Sequence, residues 1–160
     1  MAHKILITLD SSAGAWRAVE YVAQAFGQTP GVEITLLHIL PGLPQAFWDE
    51  GHIHDENEKE ATKRLVVNWQ KEQEKSWVHL VQKARERLVA AKIPAATITS
   101  KIKPAHFNVA EDIADEARDG GYSTVVMGRR GLGTVKSILL GSVTNKVVQN
   151  ASGFAVIIAE

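Results

Sequence analysis

The sequence predicts an α/β fold, an open parallel five-stranded sheet with helices on both faces. Short apolar, β-branched runs alternate along the chain with longer segments of helical periodicity, in the order β-α-β-α-β-α-β-α-β. Parallel strands need crossover connections, and right-handed crossovers place helices against both faces of the sheet. Because no internal repeat and no linker interrupts this alternation, we expect residues 1–160 to form a single domain.

The first predicted strand ends at a carboxylate. The apolar run 5–9 stops at Asp10, and Ser11 and Ser12 follow as capping residues for an amphipathic helix. Asp10 therefore lies at the carboxyl end of the first strand, where ligands bind in open parallel sheets. A helix cap or an ordinary loop carboxylate explains Asp10 equally well, so the residues alone leave both interpretations open.

The second strand covers residues 32–40 and stops at a Pro-Gly pair. His38 within this strand is expected to be a packed strand residue and not a ligand. The next segment, 43–57, shows neither helical nor strand periodicity and contains a His-Ile-His triplet among several acids. Since this spacing supplies no third metal ligand, we expect a solvated loop there, which can serve as a lid or an interface.

A long helix is predicted from about Glu58 to Ala91. Its charges alternate in sign, which is typical of a solvated helix face. Its apolar residues fall near one stripe that we expect to face the core, formed by Leu65, Trp69, Trp77, Leu80, Val81, Ala84 and Leu88. The run 97–102 then alternates like a strand near a sheet edge.

The last part of the chain contains two more predicted helices and two more strands. Residues 103–106 read as a loop, and Asn108 with Glu111 predicts a capping box for a helix that ends at the Gly-Gly pair. A strand buried on both faces is expected at 124–127, a helix at 142–150 and a last strand at 154–158.

The composition excludes several classes of partner. Apolar residues make up 45% and charged residues 22%, as in ordinary globular proteins. Lys plus Arg number 18 and Asp plus Glu number 18, so no net charge favours nucleic acid or an anionic membrane. There is no cysteine, no apolar run long enough for a membrane span, and no signal-peptide core. We therefore expect a soluble protein of the cytoplasm that binds no nucleic acid.

Glycines follow the fourth strand at Gly128, Gly131 and Gly133, and Gly141-Ser142 opens the next helix. Glycine lets a ligand approach backbone N–H groups closely, and a helix N-terminus presents unpaired N–H groups and a positive dipole end. This combination is typical of a phosphate site. The hydroxyls of Ser142 and Thr144 would add hydrogen bonds, and Arg129, Arg130 and Lys136 would add positive charge.

The spacing of these glycines is neither Walker A nor the Rossmann fingerprint. It is Gly128, two residues, Gly131, nine residues, then Gly141-Ser142, flanked by Val-Val-Met before it and Leu-Leu-Gly-Ser-Val-Thr within it. In this pattern the chain resembles the nucleotide-binding branch of the universal stress protein family. The resemblance covers nearly the whole chain.

The resemblance implies a strand order of 3-2-1-4-5 and a homodimer in which the last strand pairs across the two-fold axis. It implies ATP or ADP as ligand, and the phosphate charge calls for Mg²⁺. The implied nucleotide contacts are Asp10, Ile39 beside the adenine, and the loop residues Met127, Gly128, Arg129, Arg130, Gly131, Gly133, Gly141, Ser142, Val143 and Thr144. Family members often carry proline at the entry to the last strand, where this chain has Phe154-Ala155, which leaves the details of the dimer seam open.

Three functions follow from this resemblance and from the residues. The first is a nucleotide-dependent regulator or sensor in a stress response, acting through an unidentified protein partner. The second is a slow ATPase or phosphotransferase at the same site, for which Asp10 is the one acid near the phosphates and no convincing catalytic base is present. The third is a dimeric interaction protein without a ligand, which the intact glycine series disfavours.

Overall fold

A computed structural model describes residues 2–40, 42, 55–131 and 139–160. In chain order the elements are β1 (His3–Thr8), α1 (Ala13–Phe26), β2 (Val32–Leu40), α2 (Glu56–Ala90), a 3-10 turn (Ala95–Thr97), β3 (Ile98–Pro104), α3 (Val109–Asp119), β4 (Thr124–Gly128), α4 (Ser142–Gln149) and β5 (Ala155–Ala159). The predicted order of strands and helices is therefore confirmed.

The strands form one five-stranded parallel sheet in the order β3-β2-β1-β4-β5. This confirms the predicted fold class and strand order. β1 is central, and the chain builds outward from it first through β2 and β3, then on the other side through β4 and β5. The carboxyl ends of β1 and β4 therefore border the point where the direction reverses, which is where open α/β sheets leave a crevice.

The alternation of side chains along β1 divides the core between the two faces of the sheet. Ile5 and Ile7 point to the face covered by α1 and α2, and Leu6 points to the face covered by α3 and α4. All three are fully buried. Because both faces are covered, the central strands are apolar throughout and not in alternate positions only.

The long helix α2 begins at Glu56, two residues before its predicted start. Asp55 caps it: the Asp55 carboxylate accepts from the Glu58 N–H at 2.8 Å, and the Glu58 carboxylate accepts from the Asp55 N–H at 3.2 Å. Its 35 residues span about 52 Å, which is longer than the sheet it covers. Only its second half reaches the core, through Trp77, Ala84 and Leu88.

The prediction that the whole apolar stripe of α2 faces the core is wrong at its first member. Leu65 is 55% exposed, because it lies more than two helical turns before the first residue of α2 that the core buries. Trp69, Leu80 and Val81 are half-buried. The periodicity predicted the correct face of the helix and overestimated the length of the contact.

Smaller corrections concern the ends of elements. Lys103 and Pro104 belong to β3 and not to a loop, with Pro104 paired opposite Leu40 at the end of an edge strand, a position that tolerates proline. Thr97 closes the 3-10 turn before the strand. The Asn108 side chain caps α3 by accepting from the Glu111 N–H at 3.0 Å. The last helix ends one residue before its predicted end, and the last strand begins and ends one residue later than predicted.

Candidate functional site

A cavity of about 370 Å³ opens at the carboxyl edge of the sheet, over the ends of β1, β2 and β4. It contains most of the residues that the sequence predicts as nucleotide contacts, namely Asp10, Ile39, Met127, Gly128, Arg130, Gly131, Gly141, Ser142, Val143 and Thr144. Residues from both halves of the chain meet here because parallel strands end at the same edge.

The N-terminus of α4 supplies the polar end of the cavity. Gly141 is its N-cap and has no side-chain capping bond, and the first intrahelical bond runs from the Asn145 N–H to the Gly141 carbonyl at 2.9 Å. The amides of Ser142, Val143 and Thr144 therefore precede the hydrogen-bonded ladder, and all three residues line the cavity. Such a helix end attracts an anionic group through its N–H groups and its dipole.

The Thr144 hydroxyl holds α4 in place. It is buried and donates to the Gly128 carbonyl at 3.0 Å. Its single proton is therefore used within the protein, whereas the sequence predicts a hydrogen bond from this hydroxyl to a phosphate. The bond ties the first turn of α4 to the end of β4, so that the free amides and the strand end keep a fixed separation.

Asp10 faces the loop after β4 from the end of β1. Its Oδ1 accepts from the Ser12 N–H at 2.7 Å, while the Ser12 hydroxyl caps α1 by accepting from the Ala15 N–H at 3.1 Å. The helix cap is thus Ser12 and not Asp10, which excludes Asp10 as a cap and leaves a loop carboxylate or a ligand contact as its interpretation. Its other oxygen, Oδ2, lies 3.4 Å from the position of a Cβ on Gly131, so the carboxylate borders the glycine loop.

The two arginines after β4 take different directions. Arg130 lines the cavity. Arg129 does not: its Nε donates to the Leu139 carbonyl at 2.5 Å, and its guanidinium forms an ion pair with Glu160. The structure therefore does not place Arg129 with the other predicted contacts. Gly133 and Lys136 lie outside the described residues.

The opposite wall of the cavity is apolar. It is formed by Ile39, Met127 and Val143, which the sequence predicts, and by Val109 and Ile113 of α3, which it does not. Both α3 residues also belong to the apolar cluster on this face of the sheet, Ile113 within it and Val109 packed against it. An apolar wall next to a helix N-terminus suits a ligand that has an uncharged ring and an anionic tail.

Sequence reasoning also missed Gly14 as a residue that shapes the site. A Cβ on Gly14 would lie 2.2 Å from the Arg130 carbonyl oxygen, so the first turn of α1 sits directly against the loop after β4. The available signal was a glycine inside the first turn of a helix, where glycine is unfavourable unless backbone packing requires it.

The residues that the structure describes contain no group of three or more His, Cys, Asp or Glu side chains that would hold a metal ion. The segment 43–54, with its two histidines, lies outside the described residues. Among the described helices, none combines the length and the apolar character that crossing a membrane requires.

Residues 1–158 match the family model described as the universal stress protein family. A curated relative, universal stress protein YxiE of Bacillus subtilis, is 28% identical over 93% of this chain and 93% of its own. Hypothetical protein MJ0577 has a similar solved structure with a TM-score of 0.73, 24% identity and coverage of 99% of this chain and 96% of that chain. The universal stress protein from Archaeoglobus fulgidus, solved in complex with dAMP, gives a TM-score of 0.61 at 18% identity over 100% and 98% of the two chains.

Proposed function

Because the chain belongs to the universal stress protein family, we propose that it binds an adenine nucleotide, ATP or ADP, and acts as a nucleotide-dependent regulator in a stress response. The observation that carries this proposal is the cavity in which the uncapped N-terminus of α4 faces an apolar wall at the carboxyl edge of the sheet. A relative from Archaeoglobus fulgidus forms a complex with dAMP, an adenine nucleotide. We assign the protein to the cytoplasm, in keeping with a chain that contains no cysteine.

The chemistry of the cavity suggests how the nucleotide would lie. Its phosphates would sit on the amides of Ser142, Val143 and Thr144, with Arg130 adding positive charge. The adenine would pack on the apolar wall beside Ile39. Asp10, a carboxylate that repels phosphate and accepts from hydroxyls, would then meet the ribose.

Mg²⁺ would enter with the nucleotide. Mg²⁺ in nucleotide sites is held mainly by phosphate oxygens and water, with one or two carboxylates at most. Because Asp10 would meet the ribose, Mg²⁺ would here be held by phosphate oxygens and water. We therefore expect Mg²⁺ to strengthen binding of ATP more than binding of AMP, since AMP offers fewer phosphate oxygens.

We also propose a homodimer through β5. This strand pairs with β4 on one side and forms one edge of the described sheet. Its sequence, Ala-Val-Ile-Ile-Ala, is entirely apolar, and an uncovered apolar edge invites pairing with another strand. A second copy of β5 would satisfy this edge and place the two nucleotide sites in one assembly.

The test is to purify the protein without added nucleotide, denature it and identify any released small molecule by mass spectrometry. An ATP titration by calorimetry, with and without Mg²⁺, accompanies it. Release of ATP or ADP, or binding in the micromolar range, would support the proposal. If no nucleotide is released and ATP does not bind, the proposal is overturned, and attention moves to protein partners of the dimer.

A turnover assay separates the regulator from the slow ATPase. A regulator keeps ATP intact over many times the lifetime of the complex, whereas an ATPase releases phosphate in proportion to protein concentration. If phosphate release occurs and disappears in an Asp10→Asn variant that still binds ATP, the enzyme alternative replaces the regulator.

A further inference from the structure

Arg129 links the start of α4 to the end of β5. Its backbone N–H donates to the Ala159 carbonyl at 3.1 Å, and its own carbonyl accepts from the Gly141 N–H at 2.9 Å. Its Nε donates to the Leu139 carbonyl at 2.5 Å, and its guanidinium forms an ion pair with the Glu160 carboxylate. One residue therefore binds both the segment that precedes α4 and the last two residues of the chain.

The segment that precedes α4 determines where the first amides of that helix lie. Gly141 is the N-cap of α4, and Leu139 lies two residues before it. The residues that follow, Ser142 to Thr144, line the cavity. The Thr144 hydroxyl ties the same helix end to the Gly128 carbonyl. A helix start that is held at several points keeps its N–H groups in one geometry, which lowers the entropy cost of binding an anion there.

Glu160 orients the Arg129 guanidinium. A guanidinium is planar and presents its N–H groups as a rigid fork, so a carboxylate on one N–H group fixes the direction of the others. Glu160 binds the terminal nitrogen Nη1, while Nε is directed at the Leu139 carbonyl. The ion pair also balances the positive charge of Arg129, which reduces the attraction between this side chain and a phosphate.

We propose that Arg129, oriented by Glu160, is a positioning residue that fixes the N-terminus of α4 for phosphate binding and does not itself bind the phosphates. This inference rests on the proposed function. It assigns different roles to two neighbouring arginines, because Arg130 is among the described residues that line the cavity and Arg129 is not. It also gives Glu160, which is likewise not among them, a part in nucleotide affinity.

The removal of the Glu160 carboxylate separates the two possible roles of Arg129 by the sign of its effect. If Arg129 were a phosphate ligand, Glu160 would compete with the nucleotide for the guanidinium, and Glu160→Ala would strengthen binding. If Arg129 positions α4, the same substitution leaves the guanidinium without its orienting partner and weakens binding.

Arg129→Lys is the second informative variant. It retains the positive charge, but a lysine ammonium lacks the planar fork that bonds to Leu139 and Glu160 at the same time. A phosphate ligand needs mainly the charge, so Arg129→Lys would then retain most of the affinity. A positioning residue needs the fork, so the affinity should fall as it does in Glu160→Ala.

ATP binding is measured by calorimetry for the parent, the two single variants and the double variant. We expect each single variant to bind ATP about three- to tenfold more weakly than the parent, the effect of one hydrogen bond. The double variant should bind about as weakly as a single variant, because both substitutions remove the same contact. Glu74→Ala removes an exposed carboxylate of α2. It controls for the change in net charge and should bind ATP as the parent does.

Thermal unfolding separates positioning from a general loss of stability. The Glu160 side chain is 69% exposed, and exposed ion pairs contribute little to the free energy of unfolding. We therefore expect Glu160→Ala to unfold at nearly the temperature of the parent while its affinity for ATP falls.

Hydrogen exchange followed by NMR reports how firmly α4 is held when no ligand is bound. The Gly141 N–H bonds to the Arg129 carbonyl, and the Asn145 N–H bonds to the Gly141 carbonyl. Both amides should exchange about threefold faster or more in Glu160→Ala and Arg129→Lys than in the parent. The matched control is the Asp112 N–H, the first bonded amide of α3, which donates to the Asn108 carbonyl at 3.0 Å. It should exchange at the rate of the parent.

Three results in a parent protein that binds ATP would overturn this inference alone. They are tighter ATP binding by Glu160→Ala, unchanged affinity in Arg129→Lys, and unchanged exchange at Gly141 and Asn145 in both variants. The first two would mean that the charge of Arg129 and not its geometry governs binding. A parent protein that binds no nucleotide overturns the proposed function, and this inference with it.

Discussion

Gly14 and Gly128 touch through their backbones: a Cβ on Gly128 would lie 2.5 Å from the Gly14 Cα and 2.3 Å from the Gly14 carbonyl carbon. Real Cβ contacts are never this short, so neither position has room for a side chain. The contact joins the first turn of α1 to the end of β4, next to the cavity at the carboxyl edge of the sheet. It brings the loop of Asp10 and the loop of Gly131 to the same site.

We predict that Gly14→Ala and Gly128→Ala each destabilise the fold. The obstructing atoms are backbone atoms, which cannot rotate away, so the cost should be at the upper end of overpacking effects, about 2–3 kcal/mol or more. Urea unfolding followed by circular dichroism measures it. Wild-type stability in both variants would contradict the backbone contact.

Gly131→Val should weaken nucleotide binding while leaving the fold intact. Among the residues that the structure describes, the only atom within 4 Å of a Cβ on Gly131 is Asp10 Oδ2 at 3.4 Å. We therefore expect the fold to tolerate the side chain while the approach of a phosphate is blocked. We expect at least tenfold weaker ATP binding by calorimetry and a change in unfolding free energy below about 1 kcal/mol.

Gly141→Val is the informative comparison for that experiment. A Cβ on Gly141 would lie 3.3 Å from the Arg130 Cα, and the branched side chain would be closer still. We expect this variant to lose stability as well as binding. If Gly131→Val bound ATP as tightly as the parent, the phosphate site would lie elsewhere.

Glu116 of α3 is buried and lies between Lys101 and Lys103 of β3, with both Nζ atoms at 2.7 Å from its carboxylate oxygens. Burial alone would raise the pKa of Glu116, but the hydrogen bonds from the two lysines outweigh it and lower this pKa below its usual range. The pKa of Lys101 is raised in turn, chiefly by its bond to Glu116. We predict that Glu116→Gln costs about 1–3 kcal/mol at neutral pH.

The sign of the pH dependence follows from the lowered pKa. The contribution of Glu116 is fully present above the pKa of glutamate in the unfolded chain, about 4.3, and is lost as the pH falls through the lower pKa of the folded state. The stability difference between parent and Glu116→Gln should therefore shrink below about pH 4 in urea titrations. Glu74→Gln, on an exposed part of α2, is the control and should show no such dependence.

The proposed dimer edge can be tested at Ile158. On β5, the Ala155 N–H and the Ala159 carbonyl bond to the β4 side, so the backbone groups of Ile158 point to the free edge. Its side chain is 36% exposed. We predict that Ile158→Lys converts the dimer to a monomer in analytical ultracentrifugation, because a charge at a strand edge opposes pairing.

Val89→Lys is the matched control for the edge experiment. Val89 is 43% exposed and lies on α2, which packs against α1 and β2. The Val89→Lys variant should therefore leave the dimer unchanged. A parent protein that is monomeric at micromolar concentration, or an Ile158→Lys variant that remains dimeric, would remove the β5 edge from consideration.

The sequence was sufficient for the fold because the relevant signals are local. The apolar run from Ile5 to Leu9 indicates a strand buried on both faces, and the spacing from Gly128 to Ser142 marks a strand, a glycine-rich turn and a helix start. The crossover rules then limit how such units assemble. The same local signals failed at Leu65, since periodicity gives the direction of a side chain but not whether a neighbour is present to bury it.

The tertiary structure alone decided which side chains share the cavity and what each has left to offer a ligand. Arg129 pairs with Glu160, Thr144 donates to Gly128, and His38 is fixed between Leu9 and Trp77. Each of these contacts joins residues that are well separated along the chain, so no local pattern encodes it. The sequence by itself determined the elements and the position of the glycine-rich turn after β4, because backbone preference and hydrophobic periodicity act over a few residues. Which hydroxyl or cation borders the cavity depends on distances that exist only once the sheet has brought distant segments together.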